Sequence, residues 1–261
     1  MSMLLAPPAR TLFDDYIERC ESANRSAHYL KALRSTARAF CATFDELNDK
    51  TAAKFLSSSL FAASTRNVYL SHLTSVAGFA NISLRRVVRT HEIDKEPEAL
   101  SSVEVELLFN EAYKEDQSLA HIIRFMAETG LRIHEFLGLD ASSIRTSATG
   151  MKYIKFVGKR KIERTVPLTK KALLAFENIT FPIMLHRSTL NRRLDSYAKR
   201  AGIQTHVHLH LLRKTFASIA LNEKNMASVD VARVGGWKNM STMMKHYLKP
   251  DYERISVGME A

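Results

Sequence analysis

The stretch ETGLRIHEFLGLD, residues 128–140, decides how this chain is read. Upstream of it, Leu119, Ile122, Ile123 and Met126 recur at helical spacing, and Gly130 is the residue type that most easily closes a helix in a tight left-handed turn. Arg132 falls just beyond that turn. If a new helix opens there, Arg132 and Glu135 are neighbours at i and i+3, so the carboxylate can hold the guanidinium in place. An ordinary surface ion pair would explain the same spacing.

Working towards the start of the chain, Ser101 and Glu104 form a capping-box pattern, followed by Val105, Leu108, Phe109 and Ala112 on one helical face. A domain begins here. The segment before it, HEIDKEPEAL (residues 91–100), is charged and interrupted by Pro97, which marks an exposed linker over 91–98. Residues 1–90 read as a helical bundle. Its clearest helix runs from Ser26 to Phe44, with Leu30, Leu33, Ala37, Phe40, Cys41 and Phe44 on one face, and further helices are expected near 10–21, 49–60 and 65–80.

Working towards the other end, KYIKFV (152–157) and ERTVPL (163–168) are the two strand-like runs, joined through GKRKI (158–162) as a hairpin. Helical spacing returns with Leu190, Leu194, Tyr197 and Ala198, and again with Leu212, Phe216, Ile219 and Ala220. The expected fold is therefore mainly α with a small antiparallel β-sheet: a helical domain over 1–90, then an α+β domain over 99–261.

The chain has 261 residues, enough to bury two modest cores, and its 46% hydrophobic content excludes a disordered protein. Its 38 Lys and Arg against 27 Asp and Glu give a net charge of +11, which favours a polyanionic partner. The charge is unevenly spread. Residues 1–98 hold 13 basic and 11 acidic side chains, leaving 25 and 16 for the remainder, so the second domain carries most of the excess. Cys20 and Cys41 stand in no metal-ligand spacing, and a reducing compartment suits them. No apolar run approaches the roughly 20 residues that cross a bilayer, and MSMLLAPPA lacks the basic start of a secretory signal. The expectation is a cytoplasmic protein, associated with the nucleoid in a bacterial host, with no membrane partner.

Several polar groups in the second domain suit work on a phosphate. Arginine holds phosphate oxygens in a planar fork and keeps its charge, which suits Arg132 and Arg213. His210 lies three residues before Arg213 on an expected helix, so both can face one phosphate while Leu212 and Phe216 face the core. His206 and His208 alternate with His210 and also admit a zinc reading, although no carboxylate or cysteine has a recognised spacing to them. Trp237, the only tryptophan, can pack in a core and still donate its indole N–H. Tyr247 offers a phenol whose phosphodiester product conserves bond energy for rejoining.

Order and context of these groups resemble the tyrosine recombinases, or phage integrases. TGLRIHEFLGLD is similar to the family's first arginine box, HLHLLRKTFAS to its H-x-L-R-H-x-F-A box with Lys214 where a second histidine is common, and GGWKN to the Trp variant found in its Cre branch. The resemblance covers residues 99–255 directly. It implies a site-specific recombinase that cleaves and rejoins double-stranded DNA through a 3′-phosphotyrosine, with no metal or nucleotide cofactor. A type IB topoisomerase, or a DNA-binding regulator that has lost cleavage, would share the fold. The implied roles are Tyr247 as nucleophile, Arg132, Arg213, His210 and Trp237 around the phosphate, and Lys159 as acid for the leaving oxygen, with Lys161 next in line. Tyr247 lies ten residues after Trp237 where nine is usual, which keeps Tyr252 as a second candidate and puts the extra residue in an expected turn at KNMSTMM.

Arg160 and Lys161 are expected DNA contacts, as are Lys54 and Arg66, with Asn67 and Tyr69 beside them, in a first domain that resembles the family's core-binding domain and closes a DNA clamp. Self-association into a synaptic tetramer, and accessory directionality factors, are the further partners implied. Beyond Pro250, Tyr252, Ile255 and Val257 form an apolar set suited to docking on a neighbouring protomer.

Overall fold

A computed structural model describes residues 7–58, 60–91, 98–157, 163–184 and 186–248. Residues 158–162 and 249–261, which include Lys159, Arg160, Lys161 and Tyr252, lie outside the described residues. The chain divides into two compact units, Met1–Lys95 and Glu96–Ala261.

In the first unit, four helices enclose an apolar core: α1 (Ala9–Ser22), α2 (Ala27–Cys41), α3 (Asp49–Leu56) and α4 (Ala63–Phe79). Phe13, Leu33, Phe40, Leu73 and Val76 are fully buried at its centre. The starts of α2 and α3 follow from side-chain capping. Ser26 accepts from the Tyr29 N–H, and Asn48 and Thr51 form a reciprocal capping box. A buried polar pair crosses the core, with Thr36 Oγ1 on α2 lying 2.6 Å from His72 Nδ1 on α4.

Asn67 and Tyr69, expected at a DNA surface, make contacts within the first unit. The Asn67 side chain donates to the Thr90 carbonyl and accepts from the Thr90 N–H, both at 2.9 Å, stapling the chain after α4 to that helix. Tyr69 packs against Phe55 and Phe61.

The second unit is built around α6 (Gln117–Thr129), buried on most sides and packed against α5 (Ser102–Tyr113), α8 (Lys170–Glu177) and α10 (Leu209–Ser218). Ser101 and Glu104 form the expected capping box at the start of α5, and Gly130 ends α6 at φ +60°. The short α7 (Ile133–Phe136) follows. Next comes a three-stranded antiparallel sheet in the order β1 (Ile144–Thr146), β2 (Lys152–Val157) and β3 (Glu163–Pro167). Ile154 pairs with Ile144 and Val166, and Ile154 and Val166 turn into the core.

Helix α9 (Arg187–Arg200) packs on α5, and α10 runs into one π-helical turn, Ile219–Glu223. Two short helices, α11 (Ser228–Gly235) and α12 (Met240–Tyr247), close the described chain. The turn expected at KNMSTMM is helical from Met240 onward, because the Asn239 side chain caps α12 by accepting from the Thr242 N–H. No helix among the described residues is long and apolar enough to cross a membrane.

Candidate active site

The left-handed turn at Gly130 does two things for the second unit. It releases the chain so that Arg132 becomes the N-cap of α7, and it leaves the Gly130 carbonyl free to accept a 2.5 Å hydrogen bond from Arg213 Nη1 on α10. A side chain at this position would run into the Phe216 ring.

Arg132 is held at three points. Its backbone N–H donates to Glu135 Oε2 at 2.7 Å, Nη1 donates to Glu135 Oε1 at 3.0 Å, and Nη2 donates to the Gly236 carbonyl at 2.6 Å. The pairing of Arg132 with Glu135 is thus part of a wider network. Arg164, on β3, donates to the same Glu135 Oε2 at 2.6 Å and to the Gly235 carbonyl at 2.6 Å. Burial alone would raise the pKa of Glu135, but the Arg132 N–H and the Arg164 charge hold it below the usual carboxylate range. The carboxylate stays ionised and binds both arginines.

Arg213 is 4% exposed, with its guanidinium 4.0 Å from the centroid of the Trp237 ring. Burial, then the nearby charges of Arg132 and Arg164, push its pKa down to about 10, so it is still a cation at neutral pH. Trp237 is seated by the turn after α11. Its backbone N–H donates to the Ala232 carbonyl at 2.9 Å, Gly236 takes φ +69°, and any side chain at Gly235 would overlap the indole. On α12, Tyr247 meets the indole edge to face at 5.7 Å between centroids. Burial raises the Tyr247 pKa, while the Arg213 charge and a hydrogen bond with Trp237 work in the opposite direction. Helix α12 packs through Met243, Met244 and Tyr247 onto Phe216, Ala217 and Ala220.

The structure therefore brings Arg132, Arg213, Trp237 and Tyr247 into one connected group, with Glu135 and Arg164 behind them. His210 sits on the first turn of α10, three residues from Arg213 and exposed on its outer side. Partial burial of its ring, with Arg213 and Lys214 nearby, lowers its pKa below that of free imidazole. His206 and His208 are stacked, and His206 Nδ1 lies 2.6 Å from Asp195 Oδ1. In the first unit Lys54 is exposed on α3, whereas Arg66 uses its Nε to hold the Phe61 carbonyl at 3.0 Å.

Arg164 is the residue that sequence reasoning passed over. It was read as one position of the strand-like run ERTVPL, yet it shares the inward phase of β3 with the buried Val166, and its side chain is only 9% exposed. A cation at the inward phase of a strand was the available signal.

The second unit, mostly helical with a small sheet, thus gathers two arginines, a tryptophan and a tyrosine at one place. Residues 98–254, more than half of the chain, match the model of the phage integrase family. This chain belongs to the phage integrase family. Among its relatives, tyrosine recombinase XerD of Shewanella oneidensis is 29% identical over 151 residues, which is 48% of this chain and 49% of that protein. A tyrosine recombinase of Pseudothermotoga lettingae is 27% identical over 193 residues, 69% of this chain and 63% of that protein. The chain thus spans about half to two thirds of the length of these relatives. A lambda integrase dimer solved on a COC′ core site shares the fold, with a TM-score of 0.73 at 17% identity, covering 90% of this chain and 97% of that one.

Proposed function

We propose that this protein is a site-specific tyrosine recombinase that cuts and rejoins duplex DNA, with Tyr247 as the nucleophile. The observation that carries the reading is the edge-to-face contact of Tyr247 with Trp237, whose ring lies against the Arg213 guanidinium, with Arg132 held to the same turn through Gly236. A phenol beside two fixed cations is suited to attack a phosphate whose equatorial oxygens those cations hold.

In the first step the Tyr247 oxygen forms a bond to phosphorus, the bond to the 5′ oxygen breaks, and the product is a 3′-phosphotyrosine. Arg132 and Arg213 offset the charge gathering on the phosphoryl oxygens, and the Trp237 N–H adds a neutral donor. His210, whose pKa is lowered below that of free imidazole, is assigned to accept the phenolic proton. The leaving 5′ oxygen needs a proton, and Lys159 is assigned that role from its place in the hairpin sequence, with Lys161 as the second candidate. A 5′ hydroxyl from a partner duplex then reverses the chemistry on a new strand.

Each protomer supplies one tyrosine, and exchanging two duplexes takes four cuts, so the working assembly is a tetramer on two sites. The first unit is assigned to DNA backbone contact through Lys54 and Arg66, and Arg160 and Lys161 extend the basic surface of the second. Net charge of +11 supports a polyanionic partner.

The test uses a duplex selected by binding from a random pool, nicked beside the cut so that the released fragment diffuses away. Wild-type protein should accumulate a covalent protein–DNA product in EDTA and without ATP, and Tyr247→Phe should bind the duplex but form none. Covalent product from Tyr247→Phe, or wild-type cleavage that requires a divalent ion, would refute the proposal.

A further inference from the structure

Arg164, with its side chain 9% exposed against 39% for Arg132, is the more buried of the two arginines that bind Glu135. Its two Nη groups are committed, one to Glu135 Oε2 and one to the Gly235 carbonyl, both at 2.6 Å. Its Nε is buried with no hydrogen-bond partner among the described residues. Burying a guanidinium with one N–H unsatisfied costs stability compared with an apolar residue of similar size, so the group is poorly explained as a stability device.

Its partners explain it better. Glu135 is the carboxylate that orients Arg132, and Gly235 begins the turn that presents Trp237. The turn is shaped to admit the guanidinium: a Cβ on Gly236 would sit 2.5 Å from Arg164 Nη1 and 3.3 Å from Arg132 Nη1. Arg164 also lies against the Phe156 ring on β2, which fixes its direction out of the sheet. Three separate pieces of chain, β3, α7 and the turn after α11, therefore converge on one side chain.

We infer that Arg164 is a positioning residue of the recombination site, which locks the Glu135 carboxylate and the Gly235–Gly236 turn together and so fixes both Arg132 and Trp237. The inference rests on the proposed recombinase reading for its catalytic consequence, but its structural half stands apart from it. A lysine at this position keeps a positive charge yet lacks the planar fork needed to reach both acceptors together.

Trp237 is the only tryptophan, so its fluorescence reports on the turn in the free protein without any DNA. Full-length Arg164→Gln and Arg164→Lys are compared with wild type by circular dichroism melting, by Trp emission with acrylamide quenching, and by single-turnover cleavage of the nicked duplex at saturating protein. In both variants, quenching should rise and emission shift to the red at temperatures well below melting. Cleavage should fall on the order of 100-fold while affinity for the uncut duplex holds. Should Arg164→Gln fail to fold, Arg164→Lys carries the same comparison. Wild-type quenching and emission in a folded variant would overturn the inference, as would full wild-type cleavage in Arg164→Lys. If wild-type protein itself does not cleave, the recombinase reading fails, and the fluorescence comparison still decides whether Arg164 holds the turn.

Discussion

Gly130 shows how much a single residue without a side chain settles in this protein. Its positive φ ends α6, its missing Cβ leaves room for Phe216, and its carbonyl receives Arg213. Alanine there would adopt a left-handed conformation costing roughly 1–2 kcal/mol and would also overpack against Phe216, for roughly 1–3 kcal/mol more. Gly130→Ala should therefore lose about 2–5 kcal/mol in denaturant unfolding of the second unit, and a loss below about 0.5 kcal/mol would refute this account of the turn.

The same residues show where sequence reading reaches its limit. The Gly130 stop and the pairing of Arg132 with Glu135 are local, and both were legible from spacing. The bonds from Arg132 to Gly236 and from Arg164 to Gly235 join positions 104 and 71 residues apart, and no local pattern records them.

At the scale of elements, the periodic helix from Ser26 and the capped start at Ser101 were legible. The strand β1 and the helices α8 and α11 were not among the expected elements. Three residues cannot display alternation, and two helical turns show too few repeats of an apolar face.

The packing of α2 on α4 carries a prediction about pH. His72 is buried between Thr36 and the edge of Tyr29, and burial lowers its pKa below the ordinary 6.5. The unfolded chain therefore binds a proton at His72 more readily than the folded one. The stability contribution is complete above about pH 6.5 and is lost as pH falls from there towards the lowered folded pKa. Hydrogen exchange of α2 and α4 amides, corrected for intrinsic rates, should speed up between pH 7.5 and 5.5. Replacing both partners, His72→Leu with Thr36→Val, should flatten that dependence, and an undiminished dependence in the double variant would show that another group controls it.

On the scale of the whole molecule, the concentration of charge beyond residue 98 was visible in composition. What remained hidden was that most of the candidate site is assembled by α10, α11 and α12 through the small cluster of Phe216, Ala217, Val231 and Met243, rather than by the larger core around α6. Ten residues between Trp237 and Tyr247 left the nucleophile open in the sequence. The helical start at Met240 gives Tyr247 the last position of α12, against the indole, and this favours it over Tyr252.

If the Tyr247 oxygen becomes joined to DNA, mass spectrometry of the trapped covalent product will locate the bond. After protease and nuclease digestion, a nucleotide should be found linked through its 3′ phosphate to the peptide containing Tyr247, with the Tyr252 phenol unmodified. A 3′ nucleotide on Tyr252, a 5′-linked nucleotide on any residue, or cleaved DNA with no adduct at all would contradict it.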